Sequence, residues 1–314
     1  MKKKLTIRIS NEIGNQLFMY ASSYAIAKKL NRILYVDNET AFFSKKNISK
    51  YGLNNFAITS EIASNRNKFL GVTGYLKRKL LKKINIFISN KKIYIEPKNS
   101  EKITKYNDDI FNFNFSKNVY LEGYFETEEY FKDIKDKIFD EFTFLDSKIY
   151  KKSPYYKILN QKNSVSICLR QNRFIEGRGE NNHQNQQKSN QFKDEQITYI
   201  NKSIDYIKGK IERPNFYLWS NDLDSLDTSL FNTKINKIIH DKEILLNVDK
   251  RALNLFLISQ CNHHIVIPSS FNWWGAWLSR KSNNIILRPS NNFFRYFKVN
   301  NLDFWPNKWV VINE

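Results

Sequence analysis

Two consecutive serines, Ser269 and Ser270, stand between the short β-branched run "HHIVIP" (263–268) and the aromatic segment "FNWWGAWLS" (271–279). A strand that ends in Pro-Ser-Ser and passes straight into a helix starting near Phe271 leaves backbone N–H groups without carbonyl partners, with two hydroxyls beside them. Donors grouped at a helix N-terminus, where the aligned peptide dipoles add positive potential, bind anions such as phosphate. The pair therefore reads as an anion seat, against the plainer alternative that the serines only cap the helix. Trp273, Trp274 and Trp277, at i, i+1 and i+4, cover a wide helical face and are read as packing that locks the helix end in place. Cys168 and Cys261 lack metal-ligand spacing, as do the four histidines; His263 and His264, adjacent in a strand, point to opposite faces.

Such a seat needs a sheet behind it. β-type runs occur at "LTIRI" (5–9), "ILYV" (33–36), "VSICLR" (165–170), "NFYLWS" (215–220), "INKII" (235–239), 263–268 and "NIILRP" (284–289), most of them apolar on both faces. Helical patterns lie between them, among them "GNQLFMYASSYAIAKKLN" (14–31), with Leu17, Tyr20, Ala21, Tyr24 and Ala25 on one face, and "DKRALNLFLISQC" (249–261). Strands alternating with helices call for parallel sheets covered on both sides. The pattern occurs at 5–37 and again at 165–289, with about a hundred less regular residues between. The expectation is an α/β protein of two Rossmann-like domains facing each other across a cleft, 1–155 on the acceptor side and 156–314 on the donor side. The low-complexity stretch "EGRGENNHQNQQKSNQ" (176–191) reads as a long loop interrupting the second domain.

Fifty-one Lys and Arg against 31 Asp and Glu give a net charge of +20, which attracts an anion without naming it. A nucleic-acid binder would gather basic and aromatic residues on one element, and no zinc-finger, RRM or KH signature is present. The basic excess sits mostly at 77–105, where ten basic side chains meet two acidic ones. There "GYLKRKLLKKINIFI" (74–88) sets Leu76, Leu80, Ile84, Phe87 and Ile88 on one helical face and Arg78, Lys79, Lys82 and Lys83 on the other. This is an ordinary surface helix or a foothold on anionic membrane. Met-Lys-Lys-Lys is not followed by the apolar run or cleavage site of a signal peptide, no segment has the roughly 20 apolar residues of a membrane span, and two cysteines make no disulfide framework. A cytoplasmic location is expected, with a peripheral membrane position as the variant.

The segment "CNHHIVIPSSFNWWGAWLS" (261–279) resembles the final donor-site motif of the bacterial α1,2-fucosyltransferase family, a glycosyltransferase family 11-like group. Further blocks fall in that family's order: "GNQLFMYA" (14–21), "LEGYFETEEYF" (121–131), "FYLWSND" (216–222) and a tail, "LDFWPNKWVVI" (302–312). The resemblance implies a GT-B-type fold, GDP-fucose as donor, inversion at the sugar carbon, an oligosaccharide acceptor in surface-glycan assembly, and no metal or other cofactor. It implies that Arg170 binds the diphosphate, for which a guanidinium's paired charge-assisted bonds suit it. By the same resemblance Asp222 would accept from guanine, Ser269, Ser270 and the Phe271 N–H would complete the phosphate seat, and Asn15 and Gln16 would face the sugar. Where the family has His-x-Arg-Arg-x-Asp this chain has "CLRQNR" (168–173), with Cys168, Gln171 and Arg173 at altered positions; before "GNQ" it has Asn11 and Glu12 in place of glycine. These departures bear on the identity of the sugar and leave open a nucleotide sugar other than GDP-fucose, or a transferase that has lost activity.

Inverting transfer also needs a base for the acceptor hydroxyl. Glu176, Glu180 and Glu12 are the candidates, and Glu176 is preferred because its loop begins beside Arg170. "DLD" (222–224) imitates the Asp-x-Asp of metal-dependent transferases but overlaps the guanine position, and is read as no metal site. A basic nucleic-acid-binding protein is the remaining reading from another class.

Overall fold

The computed structural model describes residues 2–43, 49–98, 105–176, 181–240, 242–296 and 303–313. Glu180 lies outside them. The chain divides into two compact units, Met1–Leu145 with Lys298–Pro306, and Asp146–Phe297 with Asn307–Glu314.

In the first unit five parallel strands run in the order β3-β2-β1-β5-β4: β1 (Lys3–Arg8), β2 (Arg32–Asp37), β3 (Glu61–Ile62), β4 (Lys91–Ile95) and β5 (Phe115–Glu122). Leu5, Ile7, Val36 and Leu121 fill the centre of the sheet. Helix α1 (Ile13–Lys29) crosses from β1 to β2 and is buried except at Asn15, Tyr24 and its two C-terminal lysines. A helix apolar nearly all round is one enclosed by its neighbours. The "less regular" middle of the sequence is part of this sheet: β3, β4 and β5 all fall there. Their segments "KKIYI" and "FSKNVYLE" are polar enough to hide the strand alternation.

Helix α2 (Gly71–Phe87) reverses the expected orientation. Arg78 and Lys82 turn inward and clasp the carboxylate of Glu122 at 2.5 and 2.7 Å, while Val72 (76% exposed), Leu76, Leu80 (both 57%) and Phe87 (87%) face out. A buried carboxylate demands cations. That requirement outweighs burial of the apolar stripe and sets the helix's rotation. Glu122 is pulled two ways: burial raises its pKa, and the two cations outweigh burial and hold it below the usual carboxylate range. Short helix α3 (Lys135–Glu141) ends at buried Glu141, which accepts from Tyr20 and Thr59.

The second unit opens with short helices α4 (Ser147–Tyr150) and α5 (Tyr155–Leu159). Six parallel strands follow in the order β11-β10-β9-β6-β7-β8: β6 (Ser164–Leu169), β7 (Asn215–Ser220), β8 (Ile235–Lys237), β9 (His263–Ile265), β10 (Ile286–Pro289) and β11 (Val310–Ile312). Every residue of β6 is buried, as a strand covered on both faces must be. Helix α6 (His183–Lys208) occupies most of what read as a loop. The Asn182 side chain caps it by accepting from the Asn185 N–H, the straight-chain Gln and Lys residues have good helix propensity, and Ser189, Phe192 and Gln196 give it a buried stripe. The unit also contains α7 (Lys242–Leu246), α8 (Lys250–Gln260) and α9 (Ser270–Trp277).

Trp273, Trp274 and Trp277 are all buried, with the Trp309 ring 5.5 Å from Trp273. Gly275 is required between them: a Cβ there would sit 2.5 Å from Ile258 of α8. The tryptophans therefore pack, and their work is to hold the start of α9. Both histidines of the adjacent pair are buried too. His264 bonds Ser166 Oγ through Nδ1 at 2.8 Å, and burial holds its pKa near 3, so it stays neutral.

Candidate functional site

Open parallel sheets bind ligands outside the carboxyl ends of their strands, where the strand order reverses. In the second unit the chain leaves β6 toward β7 and β8, then returns to β9 on the other side, so the reversal lies between β6 and β9. Arg170 follows β6 directly, and Ser269 and Ser270 follow β9 by four and five residues.

Four features build this edge. The side-chain amide of Gln196, fully buried on α6, accepts from the Arg170 N–H (3.1 Å) and donates to its carbonyl (2.9 Å), so the backbone under Arg170 is clamped. The Asn221 side chain does the same for Gln171, at 2.8 and 2.9 Å, tying the end of β6 to the end of β7. Gln171, a departure from the family pattern, is itself buried and donates to Ser220 Oγ and the Asp222 carbonyl. Ser269 caps α9 with extended backbone and no side-chain hydrogen bond; the first helical bond runs from Trp273 N–H to Ser269 C=O, so the N–H groups of Ser270, Phe271 and Asn272 lie ahead of it.

Charge is placed accordingly. Arg170, 40% exposed, donates to Glu176 Oε1 at 2.6 Å, and Arg173 stands 3.8 Å from the same oxygen. Burial and the neighbouring Arg170 lower the Arg173 pKa. Glu176 is thus the counter-ion of the arginine at this edge. Asp222 is half-buried, and its carboxylate accepts from the Ser225 N–H and hydroxyl, which lower its pKa and fold the loop after β7. The sequence did not mark Arg288, at the carboxyl end of β10, whose Nε is buried without a hydrogen bond. It lies one strand over from β9 and was hidden inside an apolar run. Gln196 and Asn221 escaped notice because a clamp on backbone groups leaves no local spacing to read.

In the first unit the reversal lies between β1 and β5. The loop after β1 turns at Asn11, whose φ of 61° is the left-handed conformation that glycine takes freely and asparagine tolerates. Asn11 donates to the Tyr124 hydroxyl at 2.6 Å, and Asn15 to Glu126 Oε1 at 2.6 Å, so both bonds bridge the two sides of the reversal. Gln16 differs from expectation. It is fully buried, donates to the carbonyls of Asn11 and Lys50, and accepts from the Gly52 N–H, so its amide is spent on holding loops and none of it is open to a sugar. Glu12 is exposed and accepts from Ser49 at 2.7 Å. A cavity of about 380 Å³ in this unit is lined by Phe69, Leu80, Leu81, Ile84 and Val119 with Lys77 among them. Among the described residues no group of three or more His, Cys, Asp or Glu side chains could hold a metal ion.

Two parallel sheets, each with polar side chains gathered at its reversal, make an α/β fold of GT-B type. Glycosyl transferase family 11 matches residues 1–313, and the chain belongs to it. It is 25% identical over 313 residues to an alpha-1,2-colitosyltransferase of Escherichia coli, covering 98% of each protein. It is 24% identical to the O-antigen biosynthesis glycosyltransferase WbnK of Escherichia coli, over 95% of this chain and 98% of that one. Among solved structures, NodZ alpha-1,6-fucosyltransferase co-crystallized with GDP superposes with a TM-score of 0.51 at 14% identity, covering 88% of this chain and 92% of that one. Fucosyltransferase NodZ from Bradyrhizobium gives 0.51 at 12% identity, with the same coverage.

Proposed function

We propose that this glycosyltransferase takes fucose, or a sugar closely related to it, from a GDP donor and places it by inverting α1,2 transfer on a hydroxyl of an O-antigen-type oligosaccharide. One observation carries the reading: Arg170, clamped by Gln196, stands at the same sheet reversal as the N-terminus of α9, whose cap residue Ser269 makes no side-chain hydrogen bond. Together they supply a guanidinium and free N–H groups for the charge that grows on a departing diphosphate. Arg170 leaves Glu176 for the diphosphate, Ser269, Ser270 and the Phe271 N–H bind its remaining oxygens, and Asp222 accepts from guanine. Charge neutralisation by these groups makes a metal unnecessary. The names of the relatives support a GDP-sugar and an O-antigen acceptor, and they point to two sugars, colitose and fucose. The test is a transfer assay with GDP-fucose, GDP-colitose, UDP-galactose and UDP-glucose on galactose-terminated oligosaccharides, with the linkage read by NMR. Transfer from UDP donors alone, or a linkage other than α1,2, would refute it.

Peripheral contact with anionic membrane, where a lipid-linked acceptor would be found, is part of the proposal. No helix of the described residues is long and apolar enough to cross a membrane. The support is the reversed helix α2: its exposed stripe of Val72, Leu76, Leu80 and Phe87 is accompanied by the exposed lysines Lys77, Lys79 and Lys83. An amphipathic helix of this kind lies in the bilayer interface.

A further inference from the structure

Glu126 carries the geometry that Glu176 lacks. Its Oε1 is held by Asn15 at 2.6 Å, at the first turn of α1, while its Oε2 forms no hydrogen bond among the described residues. The backbone on either side is fixed. Phe125 is fully buried and Thr127 is 1% exposed, yet Glu126 between them is only half-buried. Phe125 adopts φ 52°, a conformation unfavourable for a bulky side chain, and is kept there by three bonds: its N–H donates to Glu96, and its carbonyl accepts from Ser22 Oγ (3.0 Å) and the Thr127 N–H (2.8 Å). Gly123 before it admits no side chain, since a Cβ would meet Glu96 at 2.5 Å. Backbone held in a costly conformation by its surroundings is characteristic of functional sites. Here the effect is to present one carboxylate oxygen, free and fixed, at the carboxyl edge of the first sheet beside its reversal.

We infer that Glu126 is the catalytic residue that takes the proton from the acceptor hydroxyl, with Asn15 and Glu96 as positioning residues. The inference rests on the transfer reaction proposed above. The hydroxyl oxygen forms the new bond to the anomeric carbon. The bond from that carbon to the diphosphate oxygen breaks and its electron pair leaves with GDP. The hydroxyl proton goes to Glu126 Oε2 and from there to water.

The charged and polar groups around Glu126 suit this role. Burial first, and then the neighbouring Glu96 carboxylate, raise its pKa to about 7; the Asn15 amide and Lys98 work in the opposite direction. Glu96, 4% exposed, is itself raised to about 7 by burial and is bound by the N–H groups of Tyr124 and Phe125, so it is sealed from substrate and tunes its neighbour. Lys98 is exposed over the Tyr124 ring. A base is most effective when its pKa lies near the working pH.

The base form is the deprotonated one, so kcat/KM should rise with pH through about 7 and level off above it. In Glu126→Gln, transfer from the GDP-sugar should fall by about 10²-fold or more, the pH limb should vanish, and the thermal shift given by GDP should persist. Azide, an anionic nucleophile with no proton to lose, should still yield glycosyl azide in Glu126→Gln at the wild-type rate. Lys98→Met should move the limb to higher pH, because it removes a charge that favours the carboxylate. Glu126→Gln turning over like wild type, or losing azide transfer as fully as sugar transfer, would overturn the role of Glu126 alone. Wild-type protein that transfers from no GDP-sugar would overturn the parent reading and this one together.

Discussion

The ion pair Arg170–Glu176 is the residue-scale feature with the clearest consequences. It is partly exposed, at 40% and 26%, and such pairs contribute about 0–1 kcal/mol. Arg170→Ala should therefore leave the melting temperature nearly unchanged. It should also remove a donor aimed at developing charge, which typically costs 10²–10³ in rate, and the ground-state diphosphate contact with it. Arg170→Lys should rescue poorly, because an ammonium keeps the charge and loses the planar fork. Arg173→Ala is the control, and steady-state kinetics with GDP titration check all three; loss of GDP binding in Arg173→Ala with normal turnover in Arg170→Ala would exchange their roles. Gln196 behaves differently. Gln196→Leu leaves the Arg170 N–H and carbonyl without their buried partner, so stability should fall by about 1–3 kcal/mol along with activity, as denaturant unfolding would reveal. Arg170 was reached through its match to the family's motif, and the structure places it directly after β6 at the sheet reversal. The resemblance also implied that Gln16 faces the sugar, whereas its side chain is a buried brace for two loops.

Elements were legible where burial is two-sided. The segments at 165–170 and 215–220 stood out as strands because apolar residues continue without interruption when helices cover both faces. β4 and β5 escaped because lysines and asparagine interrupt them, and α6 because its first turns are polar. Helix α2 was seen and its rotation was misjudged. Amphipathicity identifies two faces without saying which one the protein needs, and here Glu122, distant in sequence, decides. The consequence can be measured. Arg78→Glu takes from a buried carboxylate one of its two cations, leaving Lys82, and sets a second carboxylate beside it, which should cost about 3–5 kcal/mol and lower the melting temperature sharply. Reversal of Lys77, Lys79 and Lys83, all exposed, should spare stability and release the protein from anionic vesicles. Each Lys is worth about 1 kcal/mol at such a surface, so partitioning should weaken by on the order of 10²-fold or more. Sedimentation with anionic and neutral vesicles separates the cases: wild type that ignores both makes α2 a solvated surface helix, and equal retention by both makes the lysines irrelevant.

At the scale of the whole molecule, a charge of +20 attracts any polyanion, and only a built site discriminates among them. The C-terminal tail shows how little of such organisation local sequence carries. Asp303 and Phe304 belong to the first unit, where Asp303 accepts from the Tyr106 N–H and Phe304 lies 6.0 Å from Phe18, whereas Trp309 joins the tryptophans of the second. No periodicity announces that division, because Tyr106 and Phe18 lie about two hundred positions or more from Asp303 and Phe304, and Trp273 more than thirty from Trp309. Discrimination, in contrast, can be tested on the intact chain. A ligand bound only by folded protein adds RT ln(1 + [L]/Kd), about 2.7 kcal/mol at a hundredfold excess over Kd. For a unit of the size of Asp146–Phe297 this corresponds to a rise in melting temperature of roughly 5–10 °C. GDP and GDP-fucose should both give it, in the presence of EDTA as well, because Arg170 and the start of α9 supply the positive charge. UDP should give little, since it offers the same diphosphate without the guanine edge that Asp222 would bind. Arg170→Ala should lose most of the GDP shift. An equal shift from UDP would mean that the diphosphate alone is recognised and Asp222 serves only its own loop, and a shift abolished by EDTA would return a metal to the site.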